Sequence, residues 1–314
     1  MVVTRGLDRY HPGSRRAAVA IGNFDGVHLG HRKILARLRA RAGARGLRPL
    51  VLTFFPHPER VLGKKKILMI QSLAQRLERF EEEGVEAVIV TPFDEKFSAL
   101  SAEEFVLKVL SERLRAAEIV VGENFRFGRG REGGAALLRT LGPRYGLGVR
   151  VVAPALISGR VVSSSAVRLL LGRGRVKEAA RFLGRPYEIR GGVVLGHSRG
   201  KELGFPTANL KADNEILPEG VFITRTSWGA SFLPSLTSIG TNPTFRDGVL
   251  SVEIHILDFE QSLYGRILTV RFLEKIRPTR IFPDADFLAA RMAADLARAR
   301  ALFRKETARK RRRN

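Results

Sequence analysis

The stretch AIGNFDGVHLGHRKIL, residues 20 to 35, sets His28 and His31 three apart, in a loop of Gly, Asn and Asp that runs directly into a helical pattern. Three kinds of chemistry suit such a pair. Imidazoles ligate metals, they donate hydrogen bonds to phosphate oxygens, and a polar side chain just before a helix satisfies its first free N–H groups. A metal site needs at least a third protein ligand, and the helix-borne HExxH spacing is absent. His57 in TFFPHP offers an imidazole, but from the end of a different strand. Glycines such as Gly22 and Gly30 let backbone N–H groups approach an anion, and a helix N-terminus adds donors and a favourable dipole. Phosphate binding is the preferred reading here, with metal binding and capping left open.

Two further stretches carry chemistry. VVSSSAVR starts a helix with hydroxyl and N–H donors, and Arg168, one turn in, is able to fork two hydrogen bonds onto phosphate oxygens. GGVVLGHSRGKELGFPTANL holds Gly191, Gly196 and Gly200, followed by Thr207 and Asn209, two apart. A plain hairpin would account for the glycines. Thr and Asn, however, are hard oxygen ligands of the kind that a nucleotide-bound Mg²⁺ uses alongside phosphate and water. In SVEIHIL the apolar Val252, Ile254 and Ile256 alternate with Glu253 and His255, so periodicity alone puts Glu253 on a solvent-facing strand position.

The elements that must position these residues fall into two halves. From Ala17 to Ala153 apolar β-branched runs (AAVAIGNF, LVLTFF, EAVIVTPF, EIVVG, VRVVAP) alternate with amphipathic stretches, the first helix beginning near His31. Strands buried on both faces and alternating with helices predict a doubly wound α/β domain with a parallel sheet. GNFDGVHLGH then lies at the C-terminal end of the first strand, where open parallel sheets bind ligands. Two short helices, SAVRLLLGRG and VKEAARFLG, close this half. After Gly184-Arg185-Pro186 the pattern becomes short strands with Gly and Pro turns, which predicts a small antiparallel β-barrel. A C-terminal helix follows from about Asp284 to Phe303, with Asp284 or Asp286 as its N-cap.

Composition narrows the classes. At 314 residues the chain exceeds the roughly 250 at which single cores tend to split. It contains no Cys, which removes disulfides and thiolate metal sites, and no apolar run approaches the about 18 residues that would span a bilayer. A cytoplasmic protein is expected. The formal net charge of +24 points to anionic partners. Arg is spread along helical faces, however, so general Arg enrichment is preferred over a dedicated nucleic-acid surface.

The spacing of HLGH resembles the HxGH signature of nucleotidylyltransferases, and VVSSSAVR, about 130 residues further on, resembles their second signature. More specifically, GNFDGVHLGH, TFFPHP, VVGENFRFGRGREGG and VVSSSAVR resemble the adenylyltransferase half of the bacterial bifunctional riboflavin kinase/FMN adenylyltransferases, the prokaryotic FAD synthetases. PTAN, SIGTNPTF, VEIH, LYG and FLEKIRPTRIF resemble the riboflavin kinase half. The resemblance implies a nucleotidyltransferase domain over 1–185, a kinase domain over 186–304, and a basic tail over 305–314 outside it, expected to be disordered.

It also implies roles. His28, His31, Ser164, Ser165 and Arg168 handle the ATP phosphates, with Gly22, Asp25 and Gly30 in the same loop. Asn124, Phe54 and Phe127 approach nucleotide and flavin, although core packing is an equal reading for both phenylalanines. Gly191, Gly196, Gly200 and Lys201 form the glycine-rich ATP loop, Thr207 and Asn209 hold Mg²⁺, and Glu253 is the catalytic base. Arg277 and Arg280 are further candidates for the flavin pocket. Two positions depart from the usual pattern: Ser165 stands for Thr, which keeps the hydroxyl, and Lys201 for Arg, which keeps the charge. The implied activity is phosphorylation of riboflavin to FMN and adenylylation of FMN to FAD, with ATP as co-substrate and Mg²⁺ as cofactor. The rival reading is a nucleic-acid-binding protein on a nucleotidyltransferase-like scaffold. Against it, both signatures are intact, which a pure binding module does not require.

Overall fold

A computed structural model describes residues 1–63, 67–195, 205–241, 250–280 and 282–311. The apolar runs of the first half become strands β1 (Val2–Arg5), β2 (Ala17–Ile21), β3 (Arg48–Phe54), β4 (Ala87–Thr91), β5 (Ala116–Gly122) and, beyond a ribbon of β6 (Arg126–Phe127) and β7 (Gly133–Gly134), β8 (Gly148–Val152). They pair in parallel in the order β1-β4-β3-β2-β5-β8. β1 has no pattern in the sequence, because its four residues are too few and too exposed to show one. The order reverses between β2 and its neighbours β3 and β5, which makes the end of β2 the switch point where such sheets open a crevice.

Alternate residues of β2 serve two cores. Val19 and Ile21 join Leu50, Leu52, Ile89, Phe105 and Leu110 on one face of the sheet. Ala18 and Ala20 meet Leu35 and Leu38 of α1 (Leu29–Ala44) on the other, together with Phe80 and Val88. Two alanines under the helix let α1 lie close to the sheet and aim its N-terminus at the switch point. The remaining helices are α2 (Pro58–Val61), α3 (Leu73–Glu82), α4 (Glu95–Ser98), α5 (Ala102–Glu104), which continues into the π-helical Phe105–Arg113, and α6 (Ala135–Arg144). A hairpin of β9 (Leu156–Ile157) and β10 (Arg160–Val161) precedes α7 (Ser164–Gly172) and α8 (Val176–Leu183).

The second half is a closed antiparallel barrel of β11 (Tyr187–Val194), β12 (Ala208–Ala212), β13 (Gly220–Trp228), β14 (Ser231–Thr241), β15 (Leu250–Ile256) and β16 (Ile267–Arg277), ordered β11-β12-β15-β14-β13-β16. Its interior combines apolar side chains such as Ile189, Phe222, Ile254 and Phe272 with a chain of buried hydroxyls. Thr224 bonds Ser235 and Thr237, and Thr226 bonds Ser235, each at 2.8 Å. Each of these four hydroxyls has at least one hydroxyl partner, so the buried polar groups are paired within the barrel.

Two expectations change. The compact units divide between Ser164 and Ser165 rather than after residue 185. The reason is α8, which packs against β11 and β16 of the barrel. The C-terminal helix α9 (Ala285–Arg311) is capped by Asp284, whose Oδ1 accepts the Phe287 N–H at 2.9 Å, and it runs past Phe303. Residues 305–311 are therefore helical rather than a disordered tail. Lys, Arg, Glu and Ala are good helix formers, and Glu306 ties this last part to Arg225 of β13 at 2.7 Å.

Glu118 lies within buried β5 with its side chain fully inaccessible. Arg41 of α1, Arg45 at its C-cap and Arg150 of β8 all reach its carboxylate, at 2.5, 3.0 and 3.0 Å. Burial acts to raise its pKa, but the hydrogen bonds from Arg41, Arg45 and Arg150 outweigh burial and hold it at about 2. The folded value lies below the unfolded one, so this contribution to stability is complete above the ordinary value of 4.5 and is lost as pH falls from there toward about 2. Glu118→Gln removes one partner of a buried ionic cluster and is expected to cost about 3 kcal/mol. Denaturant unfolding at pH 7 checks it, and a loss below about 1 kcal/mol would mean that the cluster acts only as a surface pair does.

Candidate active sites

The chain leaves β2 through Gly22, whose N–H bonds the Leu52 carbonyl at 3.1 Å, and then bends sharply. Phe24, Gly26 and Val27 have φ of 51°, 86° and 36°. Two of these are non-glycine residues in the left-handed region, each costing about 1–3 kcal/mol, so the surroundings must hold the bend. They do so in three ways. The Phe24 ring is buried edge-on against Phe80 and His31. Both oxygens of buried Asp25 accept the Ile70 N–H at 3.1 Å. Arg76, itself buried, donates to the carbonyls of Asn23 at 2.5 Å and Phe54 at 3.4 Å. Burial lowers the Arg76 pKa to about 10, opposed by the Asp25 charge.

The bend delivers His28 to the N-cap of α1, where its Nδ1 accepts the His31 N–H at 3.3 Å. Because Nδ1 is an acceptor, Nε2 carries the proton of the neutral ring and is a donor. The two rings stack at 3.6 Å with 15° between their planes. Lone pairs in parallel planes do not converge on one ion at the about 2.0–2.1 Å a zinc–nitrogen bond needs, whereas parallel N–H edges at a helix N-terminus suit an extended phosphate chain. Capping and the presentation of donors to an anion are thus compatible in one arrangement. Gly30 makes room for it, since a Cβ there would sit 3.1 Å from the His28 Cε1 and 3.4 Å from the Val162 carbonyl. From the far end of the unit, Ser164 Oγ donates to the Asp25 carbonyl at 2.8 Å, joining the second signature to the first. Ser165 lies exposed in the first turn of α7, and Arg168 stands one turn on.

Several residues take places that differ from their expected ones. Asp25 is an anchor of the bend, turned into the protein, rather than a phosphate contact. Phe54 and Phe127 are buried members of a chain of aromatic rings. Phe54 meets Phe93 and Phe97, and Phe127 meets Phe105 and stacks on Phe125. The half-buried rings of that chain are Phe93, Phe97 and Phe125, next to exposed Asn124. His57 caps α2 through Nδ1, while its Nε2 faces the Asn23 amide at 3.1 Å. Asn23 and Arg76 went unremarked in the sequence, because nothing local shows that a helix outside the motif supplies a buried cation to it.

In the barrel, β15 turns Val252, Ile254 and Ile256 inward and leaves Glu253 and His255 half-buried on the outer face. Antiparallel register sets Asn209 of β12 opposite Glu253, Ser238 of β14 opposite it on the other side, and Val194 beyond Asn209. The base and one metal ligand of the implied kinase are therefore cross-strand neighbours, with Thr207 two residues before Asn209. Among the described residues no group of three or more His, Asp or Glu forms a metal cage. Neutral oxygens beside a single carboxylate fit a Mg²⁺ carried mainly by nucleotide phosphates. Gly191 is a paired strand residue, not part of an ATP loop. A Cβ there would come within 2.0 Å of the Lys211 carbonyl, so it permits the close approach of β11 and β12. Gly196, Gly200 and Lys201 lie outside the described residues. Arg277 is committed to buried Asp295 at 2.8 Å, and Arg280 is exposed.

A parallel α/β unit with stacked HxGH histidines at its switch point, followed by a closed barrel with an outward carboxylate, defines a nucleotidyltransferase joined to a kinase-type barrel. Comparison with known proteins gives the same two parts: residues 11–166 match the FAD synthetase family and residues 183–303 the riboflavin kinase family. Bifunctional riboflavin kinase/FMN adenylyltransferases from Pseudomonas fluorescens and Escherichia coli are each 36% identical, covering 96% of this chain and 98% of their own. That of Haemophilus influenzae is 32% identical over 96% of this chain and 99% of its own. A crystal structure of a Streptococcus pneumoniae protein, described as a macrolide-efflux protein, is 29% identical, with a TM-score of 0.86 over 96% of this chain and 99% of that one. No described helix of the present chain is long and apolar enough to cross a membrane. The chain belongs to the bifunctional riboflavin kinase/FMN adenylyltransferase family.

Gly30→Ala tests the stacked arrangement. The added methyl makes the His28 ring give by a few tenths of an ångström, and adenylylation of supplied FMN is expected to fall, by less than the about hundredfold that removal of a preorganised donor costs. Riboflavin phosphorylation by the same protein should be unchanged.

Proposed function

We propose that the barrel unit converts riboflavin and ATP to FMN and ADP, and that the α/β unit converts FMN and a second ATP to FAD and pyrophosphate. The observation that carries the first step is the register that sets Asn209 directly opposite Glu253. Glu253 accepts the proton of the riboflavin 5′-hydroxyl, whose oxygen attacks the γ-phosphorus of ATP, and ADP leaves. Thr207 and Asn209 hold the nucleotide-bound Mg²⁺, which when present neutralises charge on the phosphates.

In the second step a phosphate oxygen of FMN attacks the α-phosphorus of ATP. The nucleophile is already an anion, so neither a covalent intermediate on the protein nor a strong base is required. What the unit must supply is position and charge stabilisation. His28 and His31 present N–H donors from the start of α1, and Ser164, Ser165 and Arg168 contribute hydroxyl and guanidinium donors from α7. Gly30 brings its backbone N–H near the same phosphates, while the Gly22 N–H is spent on the Leu52 carbonyl. Asn124 and the half-buried Phe125 next to it take the flavin side, with Phe54 and Phe127 supporting from the core. The partners are small molecules, and the supply of ATP assigns the work to the cytoplasm. The positive charge of the chain is general Arg enrichment that favours approach of anionic substrates.

Separate knock-outs test the assignment. Glu253→Gln is expected to abolish FMN formation from riboflavin while FAD formation from supplied FMN continues. His28→Ala should do the reverse, with adenylylation down about a hundredfold or more. Loss of both activities in either variant, or near-normal rates in both, would contradict the division of labour.

A further inference from the structure

Glu253 and His255 leave the same face of β15, two residues and about 7 Å apart. The reading of the barrel as the kinase uses the first and leaves the second without a role. The His255 ring is not idle. Its Nδ1 lies 2.9 Å from the Pro206 carbonyl oxygen, and its edge-to-face neighbour is the Phe205 ring, with 6.0 Å between centroids and 71° between planes. A carbonyl only accepts, so Nδ1 is the protonated nitrogen and donates.

Resting on that kinase reading, we propose that His255 is a positioning residue which fixes the peptide plane between Pro206 and Thr207, and so aims the Thr207 and Asn209 oxygens at the nucleotide-bound cation. Three features of the chain make this one hydrogen bond effective. Pro206 has a ring-locked φ and no N–H, so its carbonyl is its only main-chain handle, and anchoring it sets the remaining torsion. The peptide is planar, so fixing that carbonyl also fixes the Thr207 nitrogen. Only Thr207 and Ala208 separate this anchor from Asn209, which is itself locked opposite Glu253. The PTAN segment is thereby fastened twice to the strand that carries the base. Base and cation ligands keep a constant spacing because one strand holds both.

The test uses the full-length chain with His255→Ala, His255→Asn and His255→Gln. An Asn amide places its N–H₂ close to where Nδ1 stood and can reach the Pro206 carbonyl, whereas a Gln amide reaches where Nε2 stood. Two quantities are followed as Mg²⁺ is titrated: the rate of FMN formation, and, without turnover, the quenching of riboflavin fluorescence on binding in the presence of ADP. The Ala and Gln variants are expected to need about tenfold more Mg²⁺ for half-effect in both, the value of one lost hydrogen bond. Their kcat at saturating Mg²⁺ should fall less than about threefold. The Asn variant should return to within about twofold of the parent. Adenylylation of supplied FMN should be unchanged throughout, which reports a folded chain. Unchanged Mg²⁺ dependence in the Ala variant, or Asn no better than Gln, overturns the role of His255. Absence of Mg²⁺-dependent quenching and FMN formation in the parent protein overturns the kinase reading itself, and this proposal with it.

Discussion

The α/β unit depends on a bend that the backbone would not choose. Between the end of β2 and the start of α1 the chain passes through Phe24, Gly26 and Val27 at positive φ. Only that path brings His28 to the helix N-cap with its ring over His31. The bend is held from behind by Asp25 on the Ile70 N–H and by buried Arg76 on the carbonyls of Asn23 and Phe54. Arg76 belongs to α3, and the carbonyls it grips lie just beyond β2 and on the last residue of β3. One guanidinium therefore ties together two strand ends and a helix behind the crevice. A carboxylate and a guanidinium inside the protein are the cost of the bend that stacks two imidazoles at the start of α1.

The barrel solves its own problem by separating its two faces. Inside, the strands close over phenylalanines and a chain of hydroxyls that satisfy one another. This leaves the outer face of β12, β15 and β14 free to carry Asn209, Glu253 and Ser238 in one cross-strand row. Register does what a bend does in the other unit. A slip of one residue would turn Glu253 into the core and Ile254 out, and hydrophobic burial forbids it. The spacing of Glu253 to Asn209 is therefore enforced by the same apolar alternation that builds the barrel.

Much of this was legible in the sequence because it is written in local patterns. Apolar runs between amphipathic stretches gave the parallel sheet, and alternation in SVEIHIL gave the face of Glu253. The HxGH spacing and PTAN carried the resemblance to the family. What escaped was set by partners far along the chain. β1 is a strand because β4 offers it an edge, and β12 is a strand because β11 and β15 flank it, although its residues read only as a motif. Asp25 looks like an active-site carboxylate until Ile70 and Arg76 are found behind it. Phe54 and Phe127 look like flavin contacts until Phe93, Phe97 and Phe105 are found around them. Gly191 looks like part of a loop until the Lys211 carbonyl is found 2.0 Å from where its Cβ would be. The final turns of α9 carry a charge run that reads as disorder, yet good helix formers and the Glu306–Arg225 pair continue the helix.

One chain performs two consecutive transfers, phosphoryl and then nucleotidyl, the product of the barrel serving as substrate of the α/β unit. A time course of the purified protein with riboflavin, ATP and Mg²⁺, separating riboflavin, FMN and FAD, tests it most directly. FMN is expected to rise first and then decline as FAD appears. FMN that accumulates with no FAD, or riboflavin that is never consumed, would contradict it.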